Sequence, residues 1–154
     1  MKNKKLNISD INIFKKKTFI TKTPKETREL GKKFAAFLKK GDIVLLRGDL
    51  GAGKTTFVQG IMQAFRSRVF VNSSSFSIIN EYDVNNGIKL FHIDLYRLQS
   101  LNSVFDIGIE EYIYSNNISC IEWPDRLACI QNDCQWSIEI ENIGLVKNIR
   151  ISKK

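Results

Sequence analysis

Ile43-Val44-Leu45-Leu46-Arg47-Gly48-Asp49-Leu50-Gly51-Ala52-Gly53-Lys54-Thr55-Thr56-Phe57 joins three patterns without a break. The apolar run Ile43 to Leu46 suits a strand covered on both faces, and so a central one in a mainly parallel sheet. Gly48 to Thr55 satisfies G-x-x-x-x-G-K-[ST] in full. Beyond it, Phe57, Ile61 and Phe65 recur every four residues, which predicts a helix that packs on the sheet. Strand, glycine-rich loop and helix in this order form a P-loop. Its glycines let backbone amides curl round a phosphate, and the helix aims the positive end of its dipole at the same anion. Lys54 is expected to reach the β and γ phosphates as a point charge and the Thr55 hydroxyl to coordinate magnesium. The expected ligand is ATP with Mg2+. A GTP reading fails because the chain has no Asn-Lys-x-Asp sequence.

Working outward toward the N-terminus, Thr23-Pro24-Lys25-Glu26 is a capping box, with threonine as N-cap, proline at N1 and glutamate three residues on. A helix therefore starts at Pro24, after a short strand at Thr18 to Thr21. Leu30, Phe34, Phe37 and Leu38 give it one buried face, and Gly41 is expected to end it. Toward the C-terminus, strand-like segments follow at Val69 to Val71, Ser77 to Asp83, Ile88 to Asp94, Ile118 to Glu122, Trp136 to Ile140 and Leu145 to Ile151. Asn86-Gly87 is a hairpin signal, so part of the sheet should be antiparallel. The expectation is a single-domain, three-layer α/β fold of the P-loop NTPase type, its mostly parallel central sheet carrying antiparallel additions. That domain spans residues 17–154, behind a basic extension at 1–16.

A chain of 154 residues, 43% hydrophobic, has enough apolar material for one core. It contains no repeat and no Pro/Gly/Ser linker. No stretch approaches the ~18 consecutive apolar residues of a membrane span, and MKNKKLNISDINIFKKK has charges where a secretory signal would be apolar. The expected location is the cytoplasm. Cys120, Cys129 and Cys134 are odd in number and fit neither a disulfide framework nor a paired zinc motif, so they read as reduced structural thiols. Zinc would have to recruit the only histidine, His92, from another element. The formal charge of +8 favours polyanions, an RNA substrate among them, yet the surplus is scattered lysine pairs with no interleaved aromatics to stack bases.

A P-loop hydrolase also needs a carboxylate near the metal, usually where a neighbouring strand ends. Asp94 and Glu122 each close a short apolar strand, Leu90 to Asp94 and Ile118 to Glu122, which is where ligand-binding residues gather in open α/β sheets. Which of them is nearer the metal stays open from the residues. His92 reads as a satisfied strand residue.

With those residues in view the chain resembles the TsaE (YjeE) family of small ATPases that serve threonylcarbamoyladenosine synthesis on bacterial tRNA. The resemblance runs from about Thr18 and rests on GDLGAGKTTF at Gly48 to Phe57, SSSFSIINEY at Ser73 to Tyr82, FHIDLYRL at Phe91 to Leu98 and IEWPDR at Ile121 to Arg126. It implies that Gly48, Asp49, Leu50, Gly51, Ala52, Gly53, Lys54, Thr55 and Thr56 hold the nucleotide. It also implies that Asp94 is the Walker B aspartate and acts with Lys54 in catalysis, and that Thr55, Glu122 and Asp94 serve the metal. Ser75 would sit in a nucleotide-sensing switch and Thr23 near the adenine. Trp123 would lie beside the metal site, although an aromatic in that position serves equally as a core anchor. Family members usually carry Ser-Pro-Thr where this chain has Ser73-Ser74-Ser75. Serine at 75 keeps a hydroxyl, but without proline the segment is freer before binding.

The resemblance further implies the partners TsaD and TsaB, and contact with tRNA through their complex. The alternative reading is a small-molecule kinase, which needs an acceptor pocket and usually an arginine-bearing lid. The chain has little room for either beyond the motifs above.

Overall fold

The computed structural model describes residues 16–65, 77–84, 87–98 and 108–154. The expected strand at Val69 to Val71, the serines at 73 to 75 and Asn86 lie outside these. Among the described residues the strands are β1 (Lys16–Thr21), β2 (Ile43–Arg47), β3 (Ile79–Asp83), β4 (Lys89–Asp94), β5 (Ile118–Glu122), β6 (Trp136–Ile143) and β7 (Val146–Lys153), and the helices are α1 (Pro24–Phe34), α2 (Lys54–Ala64) and α3 (Ile109–Ile113). The sheet order is β1-β7-β6-β2-β5-β4-β3. Its four central strands, β6-β2-β5-β4, are mutually parallel, while β3 and the β7-β1 pair are added antiparallel at the two edges. This is the expected mixed α/β sheet with a parallel centre.

Successive residues of a strand face opposite sides, so the continuous apolar run of β2 supplies two cores. Val44 and Leu46 join Ile118 and Cys120 of β5 beneath α1 and α2, where Phe34, Phe57 and Ile61 are fully buried. Ile43 and Leu45 join Phe91, Ile93 and Ile121 on the other side, closed by Ile109 and Ile113 of α3 and by Leu127. In the first core the Phe34 ring meets Trp136 edge-on at 5.0 Å and Phe57 at 5.6 Å. Each such ring contributes roughly 1.5–3 kcal/mol by leaving water.

Half of the capping box forms as read, the Thr23 hydroxyl accepting from the Glu26 amide; the Glu26 carboxylate accepts from the Lys22 amide, one residue before the cap, instead of from the cap amide itself. α1 then crosses α2 at closest approach through two glycines. A Cβ on Gly31 would stand 2.2 Å from the Phe57 carbonyl oxygen, and one on Gly60 would stand 2.0 Å from that of Arg28. No other residue type allows the two backbones this near.

Several boundaries differ from the expectation, β3 and β4 among them, which start at Ile79 and Lys89. α1 ends at Phe34 and passes into a 3-10 turn at Ala35–Phe37, well before Gly41, and the tighter turn tucks Phe37 against the core. β1 starts at Lys16, pairing with Ser152. β6 runs on past Ile140 to Ile143, and β7 starts at Val146, one residue later than expected, after a two-residue turn at Gly144-Leu145, and runs on to Lys153, since the ladder holds where the side chains are exposed.

Candidate functional site

The parallel strands all deliver their C-terminal ends to one edge, and the glycine-rich loop leaves β2 there. Gly48 has φ 145°, and an added Cβ would meet the Ile140 carbonyl oxygen at 2.3 Å, so the loop lies directly against β6. Gly53, at φ 109°, is the N-cap of α2. From the first turn of that helix the Lys54 side chain folds back, its Nζ donating to the carbonyls of Gly48 (2.7 Å) and Asp49 (2.8 Å). On the outer side Lys147 of β7 donates to the Gly51 carbonyl at 3.3 Å and to Asn142 at 2.9 Å.

Across from the loop, register decides what faces it. β5 is the neighbour of β2 and matches Glu122 to Leu46; β4 lies one strand further out and matches Asp94 to Glu122. Both carboxylates fall on the side of the sheet that carries α2, and the Thr55 hydroxyl donates to Glu122 Oε1 at 2.8 Å. The same oxygen is 2.8 Å from His92 Nε2, an almost fully buried contact. Asp94 Oδ1 accepts from the Tyr96 amide at 3.0 Å.

Trp123 adopts φ 57°, ψ 48°, a left-handed conformation that L-residues seldom take, and the proline that follows makes the turn tighter still. The turn sets the indole with its centroid 4.4 Å from Lys54 Nζ and against the Tyr96 ring at 5.0 Å. Two arginines clamp this arrangement. Arg47 at the end of β2 donates to Asp125 (3.1 Å), Ser137 (2.8 Å) and Gln131, while Arg126 donates to the Leu98 carbonyl. The IEWPDR and FHIDLYRL segments are thereby tied to each other and to the strand that feeds the loop.

A cleft of about 500 Å³ results. Leu50, Gly51, Gly53, Lys54, Thr55 and Thr56 line one wall, and Asp94, Tyr96, Arg97, Glu122 and Trp123 the other. Gly48, Asp49 and Ala52 build the loop from behind: Ala52 is in the core, and Asp49 enters through its carbonyl. Thr23 is elsewhere. It lines a separate pocket of about 460 Å³ with Phe19 and Lys25, its hydroxyl engaged as the helix cap. Ser75 lies outside the described residues. Sequence reasoning left Tyr96, Arg97, Arg47 and Lys147 without roles, though Tyr96 and Arg97 stand inside a motif it quoted. Lys147, brought to the loop by the last strand, carries no local signal.

Burial depresses the pKa of the Lys54 ammonium, against the opposing pull of Glu122, Asp94 and Asp49. Burial raises that of the Asp94 carboxyl and Glu122 adds to it, while the Tyr96 amide, His92 and Lys54 oppose. The site thus keeps an anion-seeking cation and a cation-seeking carboxylate short of water at the same place. A hydroxyl and two carboxylates are hard oxygen donors of the kind magnesium takes when phosphate oxygens complete its shell. Desolvated Asp94 is a group that a neighbouring cation would stabilise, so the residues fit the ion. They do not fit zinc. Burial, then Glu122, raises the pKa of the Cys120 thiol, which keeps it protonated, and no cluster of three His, Cys, Asp or Glu able to hold a metal occurs among the described residues. Cys120 and Cys134 are free and buried. No described helix is long and apolar enough to cross a membrane.

Comparison with known proteins gives one answer. Residues 21–149 match the family described as "Threonylcarbamoyl adenosine biosynthesis protein TsaE". The chain is 42% identical over 104 residues to the tRNA threonylcarbamoyladenosine biosynthesis protein TsaE of Bacillus subtilis, covering 67% of this chain and 63% of that one. Against the protein of the same name from Aquifex aeolicus it is 36% identical over 141 residues, covering 90% and 97%. The crystal structure of Bacillus subtilis YdiB superposes with a TM-score of 0.70 at 32% identity, covering 90% of this chain and 86% of the other. With a P-loop cleft of this form and a family match across most of its length, the chain belongs to the TsaE family.

Proposed function

We propose that the chain is a magnesium-dependent ATPase subunit acting with TsaD and TsaB in the threonylcarbamoyl modification of the adenosine next to the anticodon, in tRNAs that read codons beginning with A. The observation that carries the ATPase reading is the convergence of Lys54, Thr55, Glu122 and Asp94 on one cleft at the head of α2. The modification pathway rests on the names of the relatives, and the partners on the resemblance. The work belongs to the cytoplasm, and to one domain that takes in Lys16 as the first residue of β1, with the basic residues before it as an appendage.

In this reading the loop amides and the α2 dipole hold the phosphates, and Lys54 exchanges its bonds to Gly48 and Asp49 for phosphate oxygens. Thr55 and Glu122, already hydrogen-bonded, would hold the ion, with Asp94 one strand further out to complete the site or orient the attacking water. Magnesium held there would supply positive charge to offset the charge that develops on the phosphates as the terminal phosphoryl group leaves. Trp123 covers Lys54 and keeps bulk water from the ammonium, which strengthens its hold on an anion. Ser75 would add a hydroxyl near the γ-phosphate, so that the two nucleotide states present different surfaces to the partners.

Purified protein should release ADP slowly alone, without any acceptor, and faster with TsaB and TsaD; Lys54→Ala and Asp94→Ala should abolish both rates. Equal rates with and without the partners would defeat the subunit reading, and ADP formed only when a metabolite acceptor is present would make the protein a kinase.

A further inference from the structure

We infer that Asn80 and His92 act together as positioning residues for Glu122, a role that rests on the magnesium–ATP reading of the same cleft. Glu122 Oε1 receives two donors, Thr55 Oγ1 and His92 Nε2, each at 2.8 Å. A carboxylate only accepts, so the imidazole presents Nε2–H to it, and in the neutral ring Nδ1 is then a bare acceptor. That Nδ1 is buried and has no hydrogen-bond partner. Directly opposite His92 in the antiparallel β3–β4 pair stands Asn80, whose side chain points to the same face. Its Nδ2 is also buried and also without a partner. A donor and an acceptor thus stand unpaired on facing residues, and buried polar atoms in folded proteins are rarely left so. Rotation of the Asn80 side chain joins them.

The chain Asn80 Nδ2–H to His92 Nδ1, and His92 Nε2–H to Glu122 Oε1, fixes the ring's tautomer and pins one carboxylate oxygen. Oε2 is left to serve the cleft, which Glu122 lines. A histidine needed only for packing gains nothing from this arrangement; Leu90, the preceding residue on the same face of the strand, is apolar. Partners that orient a metal ligand from behind commonly set metal affinity without touching the metal.

Because His92 is the only histidine in the chain, its ring can be read by nitrogen-15 NMR without assignment. The spectrum of the free protein should show the proton on Nε2, and Asn80→Ala should move the Nδ1 resonance. In calorimetry with AMP-PNP, His92→Leu should weaken the magnesium-dependent part of binding roughly 10–100-fold and leave metal-free binding unchanged. His92→Gln keeps an amide donor for Glu122 and should restore most of the loss. A proton found on Nδ1 would overturn the inference, as would a His92→Leu protein that loses metal-free and magnesium-dependent binding alike, or neither. Wild-type protein that binds AMP-PNP without regard to magnesium would instead defeat the functional reading, whichever tautomer the spectrum gives.

Discussion

Replacing Gly48 by alanine should damage the protein far more than replacing Gly51, although both glycines sit in the same loop at positive φ. At Gly51, φ is 76° and an added Cβ meets nothing within 4 Å, so Gly51→Ala costs only the backbone preference, about 1–2 kcal/mol. At Gly48, φ is 145° and the Cβ would stand 2.3 Å from the Ile140 carbonyl oxygen and 3.1 Å from the Ala52 Cβ. The near atom is backbone in the middle of the sheet and cannot swing away. The conformational cost of about 1–3 kcal/mol is therefore joined by an overpacking cost of about 1–3 kcal/mol. Taking a total near 4 kcal/mol and a urea slope of ~1–3 kcal/mol/M, the unfolding midpoint should fall by roughly 1.3–4 M for Gly48→Ala. Gly51→Ala, at about 1–2 kcal/mol, should move it by roughly a quarter to a half as much.

The loop must also lift off β6 to relieve the contact, and a displacement approaching 1 Å at a phosphate-binding group costs on the order of 100-fold in turnover. Urea unfolding followed by tryptophan fluorescence, with nucleotide affinity from calorimetry on both variants, checks the pair. Equal destabilisation, or Gly51→Ala the worse of the two, would show that the loop does not rest on Ile140 as described.

Two further outcomes follow from the geometry. Without nucleotide or magnesium, the raised pKa of Asp94 means that the folded protein holds this proton more tightly than the unfolded chain; the contribution favours folding below the ordinary aspartate pKa of ~3.9 and is lost as pH rises through the folded value. Asp94→Asn should accordingly be inactive yet more resistant to urea than the wild type at pH 7, with the gap closing in acid; a variant less stable at pH 7 would contradict the account. Gly60→Ala should destabilise by about 1–3 kcal/mol despite alanine's ~1 kcal/mol advantage in a helix, because its methyl group would meet the Arg28 backbone, and a gain in thermal midpoint would contradict the helix crossing.

What the sequence made legible was what short-range physics controls. The strand, loop and helix from Ile43 to Ala64 carry their own periodicities, and the Thr23 cap its own hydrogen bonds. The antiparallel β3–β4 pair was announced by Asn86-Gly87. Where apolar alternation ran out but backbone pairing did not, as at the exposed residues 141–143 of β6, the strand was read too short. The order of Asp94 and Glu122 could not be read at all, because both close similar strands; strand neighbourhood alone puts Glu122 beside β2. The environment of His92 needed two contacts from outside its own segment, Glu122 on β5 and Asn80 on β3. The left-handed backbone at Trp123 has no signal in the letters, since tryptophan before proline would ordinarily be extended.

The outermost strand of the sheet, β1, is laid against β7 residue by residue from Lys16↔Ser152 to Thr21↔Lys147. On a ribosome these are the earliest and the latest of the described strands to appear, so β1 is a ribbon made well before the partner it pairs with. The exposed Lys17 discourages that ribbon from adopting a stranger's edge in the meantime. Closure of so distant a pair is slow by its nature, which makes docking of this ribbon a late event in maturation.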